Sequence, residues 1–544
     1  MTMLGDAEIQ ISGEDTYDYV IVGGGSAGCV LANRLSADPS VRVALIEAGG
    51  LDDWHWIHIP AGTRKVVGNP RTDWGFESEM EPILGRKGLV FRGKVLGGSS
   101  SINGTVYTRG AATDYDHWRG LGLTGWGWDD VLPYFRRSER FVDGGGDMHG
   151  GEGELHVEHP RISMEIFDIL TRAAVQAGLP YRSDFNGGVI EGCGMFDVTQ
   201  HRGRRWSTAK AFLDPVRHRR NLDIVIKTTC TGLVFNGKRV IGVDGVSEGR
   251  RRRIQARREV VLSSGSIGTP HLLQLSGIGP GDVLQQAGIT VRHENSAVGA
   301  NLQDHLSIRY AAKVHGVDTI NTRYHSLRKR ALMVAEYALF RRGPLVMGAP
   351  LWGGFARSDQ TQVRPNLQFL AMPVSMSQSF ATPDNFDAVS CGIYNMHPRS
   401  RGHVRITSPD PKAKPAILHR YLTDPNDQKV AVDSLKLLRG LFSSPAFQAL
   451  TPEEFTPGVE MQSDEELLAA AIKAAGTAFH QVGTCAMGCE KNSVVDERLR
   501  VRGVSGLRIA DGSVLPTLIS GNTNACIIMI GEKAAQMICD EANE

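Results

Sequence analysis

No run of about 18 apolar residues, the length that crosses a bilayer, occurs in the 544-residue chain, so no integral membrane segment is expected. An excess of charge of one sign is also missing. The 60 Lys and Arg against 59 Asp and Glu leave a net charge of +1, which removes any global pull towards nucleic acid or an anionic surface. The eight cysteines form no C-x-x-C pair, so neither a metal site nor a disulfide framework is expected, and a reducing cytoplasm suits them. Met1 to Thr16 is polar and acidic and lacks the apolar core of a signal peptide. No internal repeat and no low-complexity linker breaks the chain.

Glycine is what the chain has in quantity, 63 residues, and glycine marks turns and close backbone approaches. The length exceeds what one compact core fills, so two domains are expected. The most informative stretch is Tyr19-Val20-Ile21-Val22-Gly23-Gly24-Gly25-Ser26-Ala27-Gly28-Cys29-Val30-Leu31: a β-branched run, a glycine turn, then apolar residues at helical spacing. Gly23, Gly25 and Gly28 fit G-x-G-x-x-G, in which the first allows a tight turn, the second admits a pyrophosphate and the third lets helix pack on strand. A second strand over Val41 to Ile46 ends at Glu47, 19 residues after Gly28, where an acid accepts hydrogen bonds from an adenosine ribose. These signals together predict a dinucleotide site and leave NAD and FAD equal.

A second small-residue turn, Gly93-Lys94-Val95-Leu96-Gly97-Gly98-Ser99-Ser100-Ser101-Ile102-Asn103-Gly104, lets backbone come close to a flat ligand and offers hydroxyls to its polar edge. Asp116 to Arg137 reads as helical at its ends, and Met164 to Ala177 as an amphipathic helix. Leu222 to Ile226 and Gly232 to Phe235 read as strands. The arginines at 250–253, 257 and 258 have no interleaved aromatic residues and read as a solvated hairpin. Glu259 to Pro270 repeats strand then turn, followed by a helix over His271 to Leu275, so one sheet is assembled from distant segments. From about 311 to 475 the mixture of helices and short strands predicts a separate antiparallel substrate domain.

Two late stretches carry candidate chemistry. One is Ala478-Phe479-His480-Gln481-Val482-Gly483-Thr484-Cys485, and the other is Ala510-Asp511-Gly512-Ser513, followed by Ser520-Gly521-Asn522-Thr523-Asn524 and a helix over Ile527 to Ile538. Asn522 or Asn524 can cap that helix, whose positive end suits the pyrimidine edge of a flavin.

Taken in order, these segments resemble the glucose–methanol–choline (GMC) oxidoreductases, flavoproteins that oxidise alcohols, from about Tyr17 to the end. The match is carried by Gly23 to Gly28 with Glu47, by Gly93 to Asn103, by Gly265 to Pro270 through Ser276-Gly277-Ile278-Gly279, by Asn301-Leu302-Gln303-Asp304-His305, and by His480 to Cys485 with Gly521 to Asn524. The resemblance implies an α/β fold: a Rossmann-like FAD-binding domain built from discontinuous segments (15–160, 216–310 and 476–544) and an α+β substrate domain with an antiparallel sheet (161–215 and 311–475). It implies that His480 is the catalytic histidine and Asn522 its partner, both close to the flavin. Gly23, Gly25, Ser26, Ala27, Gly28, Glu47 and Ala48 are then expected to hold FAD with Gly93, Val95, Gly97, Gly98, Ser99, Ser100, Asn103 and Gly104. Cys230 matches a position touching the adenine, Asp511 and Gly512 match positions near the pyrophosphate and ribityl chain, and Asn524 matches one beside the flavin.

Two departures from relatives matter. Choline-specific members carry a Glu two residues before a Gly-Gly-Phe, where this chain has Leu351, so a neutral alcohol is expected in place of choline, although Trp352 can offer a cation–π face. Leu351, Trp352 and Phe479 are the expected substrate-pocket residues. Some members attach FAD through a histidine where this chain has Ile102, so FAD is expected to be non-covalent. The expected partners are an alcohol and an electron acceptor, a quinone, dye or O2, which leaves dehydrogenase and oxidase readings open. A flavin-binding lyase of the same fold is the third reading. The oligomeric state is not legible.

Overall fold

The computed structural model describes residues 15–376 and 382–543. The polar stretch 1–14, read above as lacking a leader core, lies outside the described residues. In chain order the strands of the two large sheets begin with β1 (Thr16–Val22), β2 (Val43–Ile46), β3 (Gly192–Met195), β4 (Leu222–Val225) and β5 (Thr228–Asn236). They continue with β6 (Arg239–Ser247), β7 (Arg250–Leu262), β8 (Leu306–Lys313), β9 (Trp352–Ala356) and β10 (Leu367–Met372). The last are β11 (Ala388–Asn395), β12 (Glu453–Thr456), β13 (Gly476–Thr477) and β14 (Leu507–Ile509). Five helices carry the account below: α1 (Ser26–Leu35), α2 (Glu165–Gln176), α3 (Gly265–Leu275), α4 (Leu327–Phe340) and α5 (Asn524–Asn543).

The first sheet runs β4-β2-β1-β7-β6-β5, with β14 also on β7. Its centre is parallel: β1 pairs with β2 and with β7, and β7 with β14. The apolar runs explain this placement. Val20, Ile21, Val43, Leu45, Val260 and Val261 are all fully buried, as both faces of a parallel sheet require. Strands before residue 50, from 222 to 262 and after 506 thus share one α/β layer. The antiparallel second sheet, β12-β8-β11-β10-β9-β3 with β13 on β8, draws instead on residues 192–477 and packs α2 against its outer face.

One local reading holds and two change. The arginines at 250–253, 257 and 258 form the solvated hairpin read from the sequence: they lie on β7, hairpinned with β6, where Arg253 pairs with Asp244 at 2.7 Å and Arg252 with Asp15. Alternation along the strand lets it carry such a run with half its side chains at the surface. The helix read from His271 begins at Gly265 and contains Pro270. Proline removes the N–H that would reach the Ser266 carbonyl. The Thr484 hydroxyl donates to that carbonyl at 2.7 Å and satisfies it. Finally, Ala209–Leu213 packs in the first core, on α1, although 161–215 reads as part of the substrate domain.

A Cβ on Gly28 would lie 1.9 Å from the Gly23 carbonyl oxygen. The third glycine of the fingerprint therefore sets the distance of α1 from β1. Gly28→Ala is expected to destabilise the protein by about 1–3 kcal/mol, the usual cost of overpacking. The urea midpoint should fall with an unchanged slope.

Candidate active site

Two glycine turns meet backbone to backbone. Gly97 N–H donates to the Gly24 carbonyl at 2.7 Å and Leu96 N–H to the Gly50 carbonyl at 3.0 Å. A Cβ on Gly98, whose φ is +53°, would stand 2.7 Å from the Gly25 Cα. Gly93 is as tightly placed, with a Cβ position 2.2 Å from the Gly98 carbonyl carbon. Ser99 Oγ accepts from Gly93 N–H at 3.2 Å, and Ser100 Oγ donates to the Gly97 carbonyl at 2.6 Å. Val95 is buried with Ile102 in a small apolar cluster beneath the turn.

Glu47, at the end of β2, accepts from Gly24 N–H at 2.9 Å and from Gly49 N–H at 2.7 Å, with Ala48 between. Burial raises its pKa to about 7 against these donors. Cys230 on β5 lies close by: burial, and after it the Glu47 charge, push its thiol up to about 12. Asp511 ties the third segment in by accepting from Gly265 N–H at 2.8 Å, Thr269 Oγ1 at 2.6 Å and Ser513 N–H at 2.8 Å. Gly512 follows it in a short turn, where a Cβ would crowd Ile527 at 3.1 Å.

The donor set fits FAD. No side chain caps α1 and its first turn holds no acid, so its positive end is open to a pyrophosphate. Around the Gly25 Cβ position the nearest atom is 3.8 Å away, which leaves room for close approach. Ser513 Oγ and Asn522 Oδ1 are buried without a hydrogen-bond partner. Ser26 Oγ donates to Asn524 Oδ1 at 2.7 Å and brings the starts of α1 and α5 together. Neither asparagine caps α5, contrary to expectation, because one amide faces Ser26 and the other His480.

His480 sits between two partners. Its Nδ1 is 2.9 Å from His305 Nδ1, and its Nε2 is 3.1 Å from Asn522 Nδ2. The Met396 carbonyl, 3.0 Å from His305 Nε2, can only accept, so that nitrogen carries the hydrogen. Burial, and then the neighbouring His480, hold His305 well below the ordinary imidazole pKa, so it is neutral and its Nδ1 is an acceptor. His480 must then donate from Nδ1, leaving a lone pair on Nε2 that faces the Asn522 amide N–H. Burial lowers the His480 pKa to about 4, although Asp304 pulls the other way. Asp304 Oδ1 accepts from the His480 backbone N–H at 2.7 Å; its Oδ2 accepts from Tyr421 OH and Thr477 Oγ1 at 2.5 Å each and from Gln481 Nε2 at 2.9 Å. Phe479, just before, holds a left-handed backbone at φ +64°, a strain that turns the histidine into the site.

The expected pocket residues separate. Phe479 is a third exposed and stacks on Phe91, at the rim. Trp352 does not line the pocket: it is fully buried against α2, and its Nε1–H donates to Thr171 Oγ1 at 2.9 Å. Strand alternation sends it to the outer side of the sheet, away from any substrate cation. Leu351 is also fully buried in that core cluster.

Sequence reading assigned no role to Asp304 and His305, although their motif was quoted. Two ionisable side chains adjacent in it were the available signal. Arg205 was missed as well. It is 2% exposed and has no carboxylate partner among the described residues, and its Nη1 donates to Asn103 Oδ1 at 2.7 Å and its Nη2 to Thr63 Oγ1 at 2.8 Å. Since Thr105 N–H also donates to Asn103 Oδ1, at 3.0 Å, the Asn103 amide is oriented with its NH2 group away from both. Gly104 follows in close contact with the loop at Ala349, whose Cβ would lie 2.2 Å from an added Cβ.

Comparison with known proteins shows the family of the chain. The family models described as GMC oxidoreductase match residues 17–307 and 398–531. The chain is 38% identical over 534 residues to an alcohol dehydrogenase [acceptor] of Pseudomonas putida, covering 96% of this chain and 95% of that protein. It is 39% identical over 536 residues to an oxygen-dependent choline dehydrogenase of Escherichia coli, covering 96% and 95%. An FAD-dependent oxidoreductase from Chaetomium thermophilum superimposes with a TM-score of 0.88 at 27% identity, covering 97% of this chain and 100% of that one.

Nitrogen NMR of histidine-labelled protein tests the assigned hydrogens. Above pH 5 the His480 signals should report a protonated Nδ1 and a bare Nε2, with protonation only near pH 4. In His305→Phe the preference for that tautomer should weaken.

Proposed function

Because the chain belongs to the GMC oxidoreductase family, we propose that it oxidises a neutral primary or secondary alcohol to an aldehyde or ketone, with His480 as the base. The two glycine turns, Glu47, Asn103 and the start of α5 would hold FAD, which when bound would supply the acceptor for the hydride that leaves the carbinol carbon. The observation that carries this reading is the chain from the Met396 carbonyl through His305 to His480, which leaves a bare Nε2 beside the Asn522 amide.

An alcohol hydroxyl that enters between these groups donates its hydrogen to His480 Nε2 and accepts from Asn522 Nδ2. His480 is neutral well below pH 7, so it is ready to take the proton. As charge grows on the oxygen, the Asn522 N–H strengthens its hold on it. Thr108 Oγ1 accepts from the Asn522 backbone N–H at 2.9 Å and fixes the position of that amide. The positive charge left on His480 is then offset by Asp304.

The preference for a neutral substrate is supported by the charges around His480. Those that act most on it are an Asp304 whose carboxylate already accepts four hydrogen bonds, and Arg92. A quaternary ammonium placed here would have no free counter-charge. Ile102, 4% exposed among Ile57, Val66 and Val95, offers no nucleophile, which supports non-covalent FAD. Electrons pass on to a quinone-type or other acceptor, a reading supported by the relative named for an unspecified acceptor.

Under anaerobic conditions a panel of neutral alcohols should bleach the flavin absorbance, with the best at least about tenfold faster than choline. Choline reduction at the rate of the best neutral alcohol would overturn the substrate class. Failure of every alcohol to bleach the flavin would overturn the reaction.

A further inference from the structure

Arg205 is a cation that the fold buries without an anion. Its guanidinium donates from Nε to the Ile57 carbonyl at 2.8 Å, from Nη1 to the Ser100 carbonyl at 3.2 Å and to Asn103 Oδ1 at 2.7 Å, and from Nη2 to Thr63 Oγ1 at 2.8 Å. All four acceptors are neutral. The other two arginines buried as deeply have carboxylates: Arg109 pairs with Glu139 at 2.6 Å and Arg508 with Glu259 at 3.0 Å. Among the described residues only the Tyr337 phenol, on α4, acts on Arg205 as a titratable group, and burial keeps that phenol neutral. Burial also draws the Arg205 pKa down to about 9, so at neutral pH the side chain keeps its charge. A buried charge is costly unless something of opposite sign meets it, and here the chain does not supply that group.

Asn103 is the partner of Arg205 that has something left to give. Its Oδ1 takes two donors, Arg205 Nη1 and the Thr105 N–H, which fill both lone pairs and fix the amide. Its Nδ2 keeps both hydrogens, and the side chain is half-buried rather than closed off. Asn103 ends the turn whose other end, at Gly97 and Gly98, touches Gly24 and Gly25. The bonds to Ile57 and Thr63 clamp the guanidinium from the far side, so it cannot swing away from the amide.

We propose that Arg205 is a positioning residue for flavin reduction, acting through the Asn103 amide to favour the flavin that has taken up hydride. Hydride brings two electrons and one proton to a neutral ring while the hydroxyl proton goes to His480, so the ring gains one negative charge. A cation bound to the amide oxygen polarises the amide and makes its N–H groups stronger donors to that charge. In a site closed to water the guanidinium itself is poorly screened and adds to the effect. The pyrophosphate is the other negative group that FAD brings, but Arg205 binds Ser100 and Asn103, past the Gly97 contact with the first turn. The inference rests on the reading of Asn103 as an FAD contact.

The reduction potential of the bound FAD, measured against a reference dye with no alcohol present, tests it. Arg205→Met should shift the equilibrium towards oxidised flavin at least about tenfold, which is about 30 mV for a two-electron couple. Arg205→Lys, which keeps the charge without the fork, should recover most of that shift. Asn103→Leu should lower the potential as well, and the double variant with Arg205→Met should shift it by less than the sum of the two. An unmoved potential in Arg205→Met, beside a lowered one in Asn103→Leu, overturns the role of Arg205 and leaves Asn103 as an FAD contact. An unmoved potential in Asn103→Leu removes Asn103 from the flavin and overturns the relay. A potential in Arg205→Lys as low as in the methionine variant overturns the role of the charge. Weaker FAD binding by Arg205→Met with no change in potential assigns the charge to the pyrophosphate and also overturns the proposal. Where Arg205→Met holds no FAD, Arg205→Gln and Asn103→Leu give the same readout. Because no alcohol is used, failure of every alcohol to bleach the flavin leaves these outcomes standing.

Discussion

The structure depends on one contact between two pieces of backbone. The turn at Gly23 to Gly25 and the turn at Gly97 and Gly98 touch so closely that Gly98 has no room for a methyl group. This contact anchors the second turn over the end of β1, and everything that follows, from Ser99 to Asn103, takes its place from it. Glu47 braces the first turn from below through Gly24 and Gly49, and Asp511 braces the far side through Gly265 and Ser513. Carboxylates buried in this way stay in place because backbone N–H groups satisfy them, and the cost is a raised pKa for each.

The reactive end is organised by hydrogen-bond direction. A carbonyl can only accept, and that single fact, passed through His305, decides which nitrogen of His480 faces the substrate. The ring is held from its backbone by Asp304 and turned by the strained residue before it. Burial then keeps both imidazoles neutral, so the base is ready without needing a shifted pKa near 7. The second sheet positions the Met396 carbonyl, just after β11, and His305, just before β8, so the two sheets must dock correctly for the base to have its lone pair in place.

Much of this was legible in the chain itself, because the glycine positions and the acid after the second strand are local patterns with a steric cause. Gly28 lets helix pack on strand as its spacing predicts, whereas Glu47, expected to accept from a ribose, accepts from the Gly24 and Gly49 backbone N–H groups. His480 and Asn522 meet at 3.1 Å, as expected from resemblance. Contacts between distant segments were not legible: His305 and His480 are 175 residues apart, and nothing in either neighbourhood specifies a tautomer. Trp352 failed for a different reason. It was placed in the pocket only through the Gly-Gly-Phe motif of relatives, and the core behind β9 decides which way the indole turns.

The central claim is that the bare Nε2 of His480 takes the hydroxyl proton. The most direct measurement is the anaerobic rate of flavin reduction by the best alcohol substrate in His480→Ala, loaded with FAD to the same extent as the wild type. The rate should fall by about 10²–10⁴, the contribution of a positioned general base. A rate within about tenfold of the wild type would contradict it.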